Sequence, residues 1–480
     1  MKLRQWQAKC IDLALAQYVS GKRHFLTLAT PGAGKTVMAS ELANQLLQKN
    51  LIDLVVCFSP SSIVAKDFSE CLHSRTQERF DGLIGAKGRS ITYQNLQYLD
   101  TDFWYLFQKY RVFVIFDEIH HCAGSNIDNA NAWGEQIILN IQGKAIFTLA
   151  LTGTPWRSDA APVVLSNYLF PSNKISCDYT YGLAEAIKDD ACRIPKIIAV
   201  DNNNISVIGD KETKTFTSFK SLLSDSGVSY RGVIENEAVI KYIISSANNK
   251  LIRLRKVNSD AGGLIVASSI EHAINISILI KTCFNEDSIV VTYRENEPAN
   301  IIQQFRHSNS KWIISVGMIS EGTNIPRLQV CCHLTNIKTE MHFRQILGRI
   351  LRMTDSKNQE AILYMPAEPK LLEYAYRINQ DIPIEADVVK FDKMKEIDSE
   401  GIEDKELTTV TFDKKKPTNH LIEFGLDALG HFSGTIEQSD SFNVDEPVEK
   451  HFLTSSYEKA MNIYGQFRQE SIALGLSELR

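Results

Sequence analysis

Apolar residues in this chain cluster in short unbroken runs rather than in alternation with polar ones. Phe25-Leu26 with Leu28-Ala29, Leu54–Phe58 (LVVCF), Val112–Phe116 (VFVIF) and Ala145–Leu151 (AIFTLAL) form a first series, joined by the shorter Ser90–Tyr93. Runs of this length with no polar side predict strands covered on both faces, as in a parallel sheet between helices. Between them the spacing lengthens to three and four residues. Val37-Met38, Leu42 and Leu46-Leu47 predict a helix, as do Trp6, Cys10, Ile11, Leu13 and Leu15 within residues 3–20. A second series begins at Gly262–Ala267 and continues through Ser288–Thr292, Trp312–Val316, Val330–Leu334 and Ala361–Tyr364. Two α/β units in tandem are therefore expected.

The pattern weakens elsewhere. Asn202 to Gly227 is polar and turn-rich, which predicts a linker or insertion over 196–260, although Val239–Val257 within it has helical spacing. The basic cluster Lys250, Arg253, Arg255 and Lys256 closes that helix, where cations suit the dipole better than they argue for phosphate contact. Beyond residue 370, Lys370–Gln380 looks helical, Asp392–Lys416 mixes acidic and basic blocks, and Leu421–Leu429 and Phe452–Leu476 return to helical spacing. The last of these carries Leu453, Tyr457, Met461, Tyr464 and Phe467. Such a stripe is expected to dock on the second α/β unit in preference to a partner. The expected division is 1–195, 196–260, 261–370, and a mixed or mainly helical accessory region at 371–480.

Composition changes this picture little. The 480 residues carry 44% hydrophobic and 23% charged residues and a net charge of −5, so any nucleic-acid contact must rest on a local lining. Nine cysteines form no CxxC, and His120-His121-Cys122 has no evident fourth ligand, which argues against zinc. Scattered thiols, no signal-type start and no membrane-length run lead to the expectation of a cytoplasmic protein without membrane partners.

The chemistry is concentrated at strand ends. His24–Thr36, HFLTLATPGAGKT, is strand, glycine turn and helix, the context in which GxxxxGK[ST] cradles phosphate, with Ala29 at the first motif position. Pro31, Gly32, Ala33 and Gly34 would present backbone N–H groups to phosphate oxygens, Lys35 would reach the β- and γ-phosphates, and Thr36 would hold Mg²⁺. Asp117-Glu118 follows a buried strand. There Asp117 would hold Mg²⁺, Glu118 would activate water, and His120 would sense the γ-phosphate. Gln7, one helical turn from Arg4, offers the donor and acceptor that read an adenine edge; a solvated helical amide is the plainer alternative. Hydroxyls and amides at Ser59–Ser62 and Gln94-Asn95 suit either phosphate contacts or helix caps. In the second unit, Gln345, Arg349 and Arg352 share one side of FRQILGRILR, from which guanidinium groups could face a γ-phosphate.

The set ATPGAGKT, DEIHH, AWGE, LTGTPWRSD, GMISEGTNIPRL and QILGRILR resembles superfamily 2 DExH helicases and translocases, in the bacterial group related to the motors of type I and type III restriction enzymes. The resemblance spans about residues 3–370. It implies an α/β protein with two tandem RecA-like domains and ATP and Mg²⁺ between them. It further implies Gln7 on adenine, Thr152 and Thr154 coupling nucleotide state to closure, Glu321, Gly322 and Thr323 at the cleft, and Gln345, Arg349 and Arg352 completing the site. Asn324 departs from an Asp common in the family, and Ser59–Ser62 departs from its usual Thr and Gln pattern. A nucleic-acid motor is thus expected, with DNA favoured over RNA, acting in DNA processing or phage defence beside a separate effector such as a nuclease. No nuclease or methylase motif is evident in the chain. An ATP-gated sensor or assembly switch, or an RNA helicase, are the alternatives.

Overall fold

Continuous apolar strands need cover on both faces, and the computed structural model shows how they obtain it. It describes residues 2–157, 159, 161–170, 174–208, 213–295, 297–317, 323, 325–378 and 460–472. In chain order the strands of the first lobe are β1 (His24–Ala29), β2 (Leu54–Ser59), β3 (Gly88–Thr92), β4 (Val112–Asp117) and β5 (Phe147–Thr152). The hairpin β6 (Asn167–Leu169) and β7 (Lys174–Ser176) follows, then β8 (Tyr179–Tyr181). Their sheet runs β3-β2-β4-β5-β1-β8 and is parallel throughout. Every residue of the central β4 and β5 is buried, while the edge strand β3 is largely half-exposed. Helices Gln5–Val19, Lys35–Gln48 and Ser62–Thr76 carry one layer of the core. Phe58, Tyr93, Phe116 and Ile137 lie in a second cluster.

The second lobe uses β9 (Pro195–Asn202), then β10 (Ile205–Ile208) and β11 (Thr213–Phe216), followed by β12 (Gly262–Ala267), β13 (Ser288–Val291), β14 (Trp312–Ser315), β15 (Leu328–Leu334) and β16 (Ala361–Pro366). The last described strands are β17 (Ala460–Ile463) and β18 (Phe467–Ile472). The main sheet runs β13-β14-β12-β15-β16-β9-β18, parallel except for β18, which is antiparallel to β9. The α/β class and the two tandem RecA-like units expected from the sequence are the architecture observed.

Two segments differ from expectation. Within 196–260, expected as a linker or insertion, β9 is an integral strand of the second sheet, β10 and β11 form a small sheet with β17, and the helix Glu237–Arg255 buries Ile240, Ile243, Ile244 and Leu251. Its C-terminal Arg255 donates to the Ala261 carbonyl (2.7 Å), and Lys250 pairs with Glu360 (2.6 Å), in keeping with the structural reading of that basic cluster. Within Phe452–Leu476, expected as a helix, residues 460–463 and 467–472 are strands. Free ladder positions on β10 and β9 offer complete backbone pairing, and this outweighs the helical spacing of Met461, Tyr464 and Phe467. Docking on the second lobe is nonetheless what β18 does: Phe467 stacks on Tyr242 at 4.4 Å and Ile472 is buried. The expectations for 392–416 and 421–429 lie outside the described residues.

Candidate active site

The first lobe presents the carboxyl ends of its strands, where open parallel sheets bind ligands, and the second lobe meets them with the helix Glu340–Ile350 and the residues just before β9. On the first lobe the chain leaves β1 through Thr30–Gly34. Gly32 and Gly34 have φ of +85° and +98°, a left-handed region open to glycine without strain, and Gly34 is the residue on which the Lys35–Gln48 helix starts. Ala33 is fully buried. The loop is held from behind by the first helix. Gln7, only 3% exposed, donates from Nε2 to the Gly34 carbonyl (2.9 Å) and accepts the Arg4 amide on Oε1 (2.8 Å). Arg4 Nη1 donates to Ala33 O at 2.8 Å. Gln7 is therefore no solvated helical amide; it is pinned against the phosphate loop.

Lys35 and the acidic pair meet directly. Lys35 Nζ lies 3.2 Å from Glu118 Oε1 and donates to Ala29 O at 3.2 Å. Thr36 follows in the first turn of the same helix. Asp117 ends β4, where burial, and next the neighbouring Glu118 charge, push its carboxyl up to about 7 against the opposing pull of Lys35. Glu118 itself sits at φ +52°. A non-glycine residue there carries about 1–3 kcal/mol of strain, held in place by its surroundings. Its Oε2 accepts from Gly153 N (3.3 Å) and lies 3.5 Å from His120 Nδ1. His120 Nδ1 also meets Thr152 Oγ1 at 2.9 Å, and Thr152 Oγ1 accepts from Thr154 N at 3.0 Å. Thr152 and Thr154 thus sit directly behind the acidic pair.

The second lobe reaches the same place through the helix Glu340–Ile350. Gln345 Nε2 stands 3.5 Å from His120 Nε2, across the cleft. Arg349 donates to Thr323 O at 2.8 Å. Burial of the Arg352 guanidinium, followed by the nearby Arg349 and Arg306 charges, lowers its pKa to about 9. Gly348 lies against Pro31 so closely that an added Cβ would come within 2.5 Å of the proline Cβ. Arg344 lies over Trp156, 5.8 Å from the ring centroid. Glu321 and Gly322, and with them Asn324, lie outside the described residues.

Several supporting residues have no counterpart in the sequence reading. The Tyr93 hydroxyl donates to the Asp117 carbonyl (2.8 Å), which ties the end of β3 to the acidic pair. Arg157 Nη1 donates to the carbonyls of His120 (2.7 Å) and His121 (3.0 Å). Of the first-lobe hydroxyls, Ser61 is a helix cap, accepting from Val64 N at 3.4 Å. A groove of about 480 Å³ opens at the ends of β12, β13 and β14, lined by Arg231, Ser268, Ser269, Tyr293 and Arg294 among others. Ser269 caps the helix Ile270–Phe284 by accepting from His272 N, Ser268 Oγ donates to Glu235 Oε1 (2.9 Å), Arg231 pairs with the same carboxylate, and Glu271 also lines the groove. Ser268-Ser269 after an apolar strand is the same signal as Ser59–Ser62, present in the second unit as well.

Residues 1–157 match the family model described as "Type III restriction enzyme, res subunit", and residues 246–354 match "Helicase conserved C-terminal domain". An uncharacterized protein of Mycobacterium tuberculosis is 28% identical over 395 residues, covering 78% of this chain and 62% of its own length. The chain thus spans about three-fifths of that relative. The "DNA 3'-5' translocase XPB2" of Sulfurisphaera tokodaii is 24% identical over 394 residues, with 76% and 81% covered. The "Putative mitochondrial ATP-dependent helicase irc3" of Schizosaccharomyces pombe is 20% identical over 375 residues, with 76% and 57% covered. Among solved structures, a fragment of a putative HsdR subunit of a type I restriction enzyme from Vibrio vulnificus shares the fold. Its TM-score is 0.55 at 16% identity, over 79% of this chain and 67% of that one.

Proposed function

Since the chain belongs to the superfamily 2 helicases, in the group related to restriction-enzyme motors, we propose that it hydrolyses ATP in the cleft between its lobes to move along DNA. The observation that carries this reading is the convergence of Lys35, Glu118, His120 and Gln345, from three separated motifs and both lobes, within consecutive contacts of 3.2 to 3.5 Å.

In this reading Gln7 meets adenine, and Pro31 to Thr36 receive the phosphates. The phosphates compete with Glu118 for the Lys35 ammonium, so nucleotide entry frees the carboxylate to take a proton from water. The strained backbone at Glu118 and the hydrogen bond from Gly153 fix where that carboxylate points. Asp117, buried beside a second carboxylate, suits a cation: Thr36 and Asp117 would hold Mg²⁺, which supplies charge neutralisation on the phosphates. Arg349 and Arg352 stabilise the leaving charge from the second lobe, and Gln345 aligns with His120. The working division is a first motor domain that ends where β9 begins and a second that takes in 196–260 and runs through β16, with the strands at 460–472 added to it.

Duplex DNA is favoured by the restriction-enzyme family match and by the DNA translocase among the relatives. The serine- and arginine-lined groove of the second lobe suits a phosphate backbone. The same kinship supports a role in DNA processing or phage defence beside a separate nuclease-type effector. Among the described residues no helix is long and apolar enough to cross a membrane. Steady-state ATP hydrolysis with duplex DNA, single-stranded DNA or RNA tests the proposal. Stimulation by duplex DNA is expected, stimulation by RNA alone would make it an RNA helicase, and indifference to all three would leave a protein-gated switch.

A further inference from the structure

Between the short helix Leu183–Lys188 and β9, residues Ala191–Arg193 cross from the first lobe to the second, and each one holds part of the nucleotide cleft. The Ala191 carbonyl accepts from Arg4 Nη1 (3.3 Å), the same nitrogen that holds Ala33 in the phosphate loop. Cys192 Sγ donates to the Pro31 carbonyl at 3.5 Å, and the Cys192 backbone bridges to Arg352. Gly32 packs against the same pair: a Cβ added there would stand 3.2 Å from Arg352 Cγ and 3.6 Å from Cys192 Sγ.

Arg193 goes further. Its amide donates to Leu351 O at 2.7 Å, and its side chain is 1% exposed. The guanidinium donates to the carbonyls of Leu328 (2.5 Å), Ile350 (3.2 Å) and Pro326 (3.2 Å), to Thr354 Oγ1 (3.2 Å) and to Gln359 Oε1 (3.1 Å). Every one of these acceptors is neutral. A buried cation spread over neutral acceptors is costly as simple filler, because apart from the Asp260 charge nearby it is compensated by dipoles. What the arrangement achieves is geometric. One planar, five-donor group ties the start of β15 to the Ile350 carbonyl before Arg352 and the Thr354 hydroxyl after it.

We infer that Arg193 is a positioning residue for Arg352, and that the Ala191–Arg193 crossing couples the phosphate loop to the arginine-bearing end of the second-lobe helix. Rotation of the lobes then cannot move Arg352 independently of Pro31 and Gly32, because the crossing touches both. The inference rests on the reading of Arg352 as a γ-phosphate contact.

The test uses the full chain with Arg193→Gln, Gln359→Ala and Arg352→Ala. Turnover, affinity for ADP, and affinity for ADP with aluminium fluoride (a stand-in for the transferring phosphoryl group) are measured for each. Arg193→Gln is expected to lower kcat at least tenfold and to weaken the aluminium fluoride complex by a similar factor, with ADP affinity changed less than threefold. Should that variant fail to fold, Gln359→Ala, on a half-exposed turn, removes one acceptor and is expected to lower kcat about threefold, again sparing ADP. A folded Arg193→Gln with wild-type kcat, one whose ADP affinity falls in step with kcat, or an unaffected Gln359→Ala beside an unfolded Arg193→Gln would overturn the inference. Hydrolysis unaffected by Arg352→Ala would instead remove the underlying reading of the site.

Discussion

At the scale of single residues, Glu118 combines three features that a bystander carboxylate would not need together: a left-handed backbone, a lysine at 3.2 Å and an amide donor from the next strand end. Glu118→Gln keeps the shape and removes the base. It should cut hydrolysis by about 10²-fold or more while ATP still binds, read by turnover beside equilibrium binding of a fluorescent ATP analogue. Retained turnover would assign the water to another group. Gly348 makes a different kind of claim. Its hydrogen is all that separates the second-lobe helix from Pro31, so Gly348→Ala must push the lobes apart. A fall in kcat of about tenfold is expected, since sub-ångström misplacement of reacting groups is costly. Adding Pro31→Gly, which removes both the Cβ at 2.5 Å and the Cγ at 2.8 Å, should recover part of the loss. No recovery in the double variant would mean that the contact does not set the spacing.

At the scale of elements, strands were legible where they are buried on both faces. VFVIF, AIFTLAL and GGLIVA appear as β4, β5 and β12 because a central parallel strand admits few polar residues on either side. The edge positions were less legible. Phe467, Gln469 and Ser471 alternate with Arg468, Glu470 and Ile472 too weakly to mark a strand, and it is β9 that captures this segment as the outermost strand of the sheet. Here the ladder and the Phe467–Tyr242 stack supply what the local pattern lacks, helped by Gln469 donating to Ser246 Oγ at 3.0 Å. Phe467→Ala should therefore destabilise the second lobe by about 1–2 kcal/mol, less than a fully buried aromatic because the ring is only half covered. Thermal unfolding monitored with and without the substitution measures this; an unchanged midpoint would make β18 a dispensable decoration.

At the scale of the whole molecule, the net charge of −5 hides a local feature. The groove at the ends of β12 to β14 gathers Arg231 and Arg294 with two serines at a helix start, but Glu271 also lines it and Arg231 pairs with Glu235 at 2.9 Å, which makes Arg294 the contact to test for a polyanion. Arg294→Glu should raise the DNA concentration for half-maximal stimulation about three- to tenfold and lower the salt dependence of binding by about one ion or more. Titrations at two salt concentrations decide it; unaltered stimulation would place the track elsewhere. The same scale explains why candidate site residues from positions 7 to 352 can act together. The carboxyl ends of the first sheet meet the helix Glu340–Ile350 of the second lobe, and the crossing at Ala191–Arg193 touches both sides of that contact.

What the sequence determined by itself is whatever depends on near neighbours. The glycine turn into a helix, a carboxylate pair at a strand end and the runs of both sheets are set by backbone sterics, local hydrogen bonding and the exclusion of polar groups from two-sided burial. The tertiary structure alone decided which distant groups meet. Gln345 against His120, Gly348 against Pro31, Tyr93 beneath Asp117 and Arg193 across five separate acceptors are joined over separations that run from 24 residues to more than 200. No local pattern encodes such pairings, because the free energy that selects them comes from closing the two lobes and satisfying every buried donor at once.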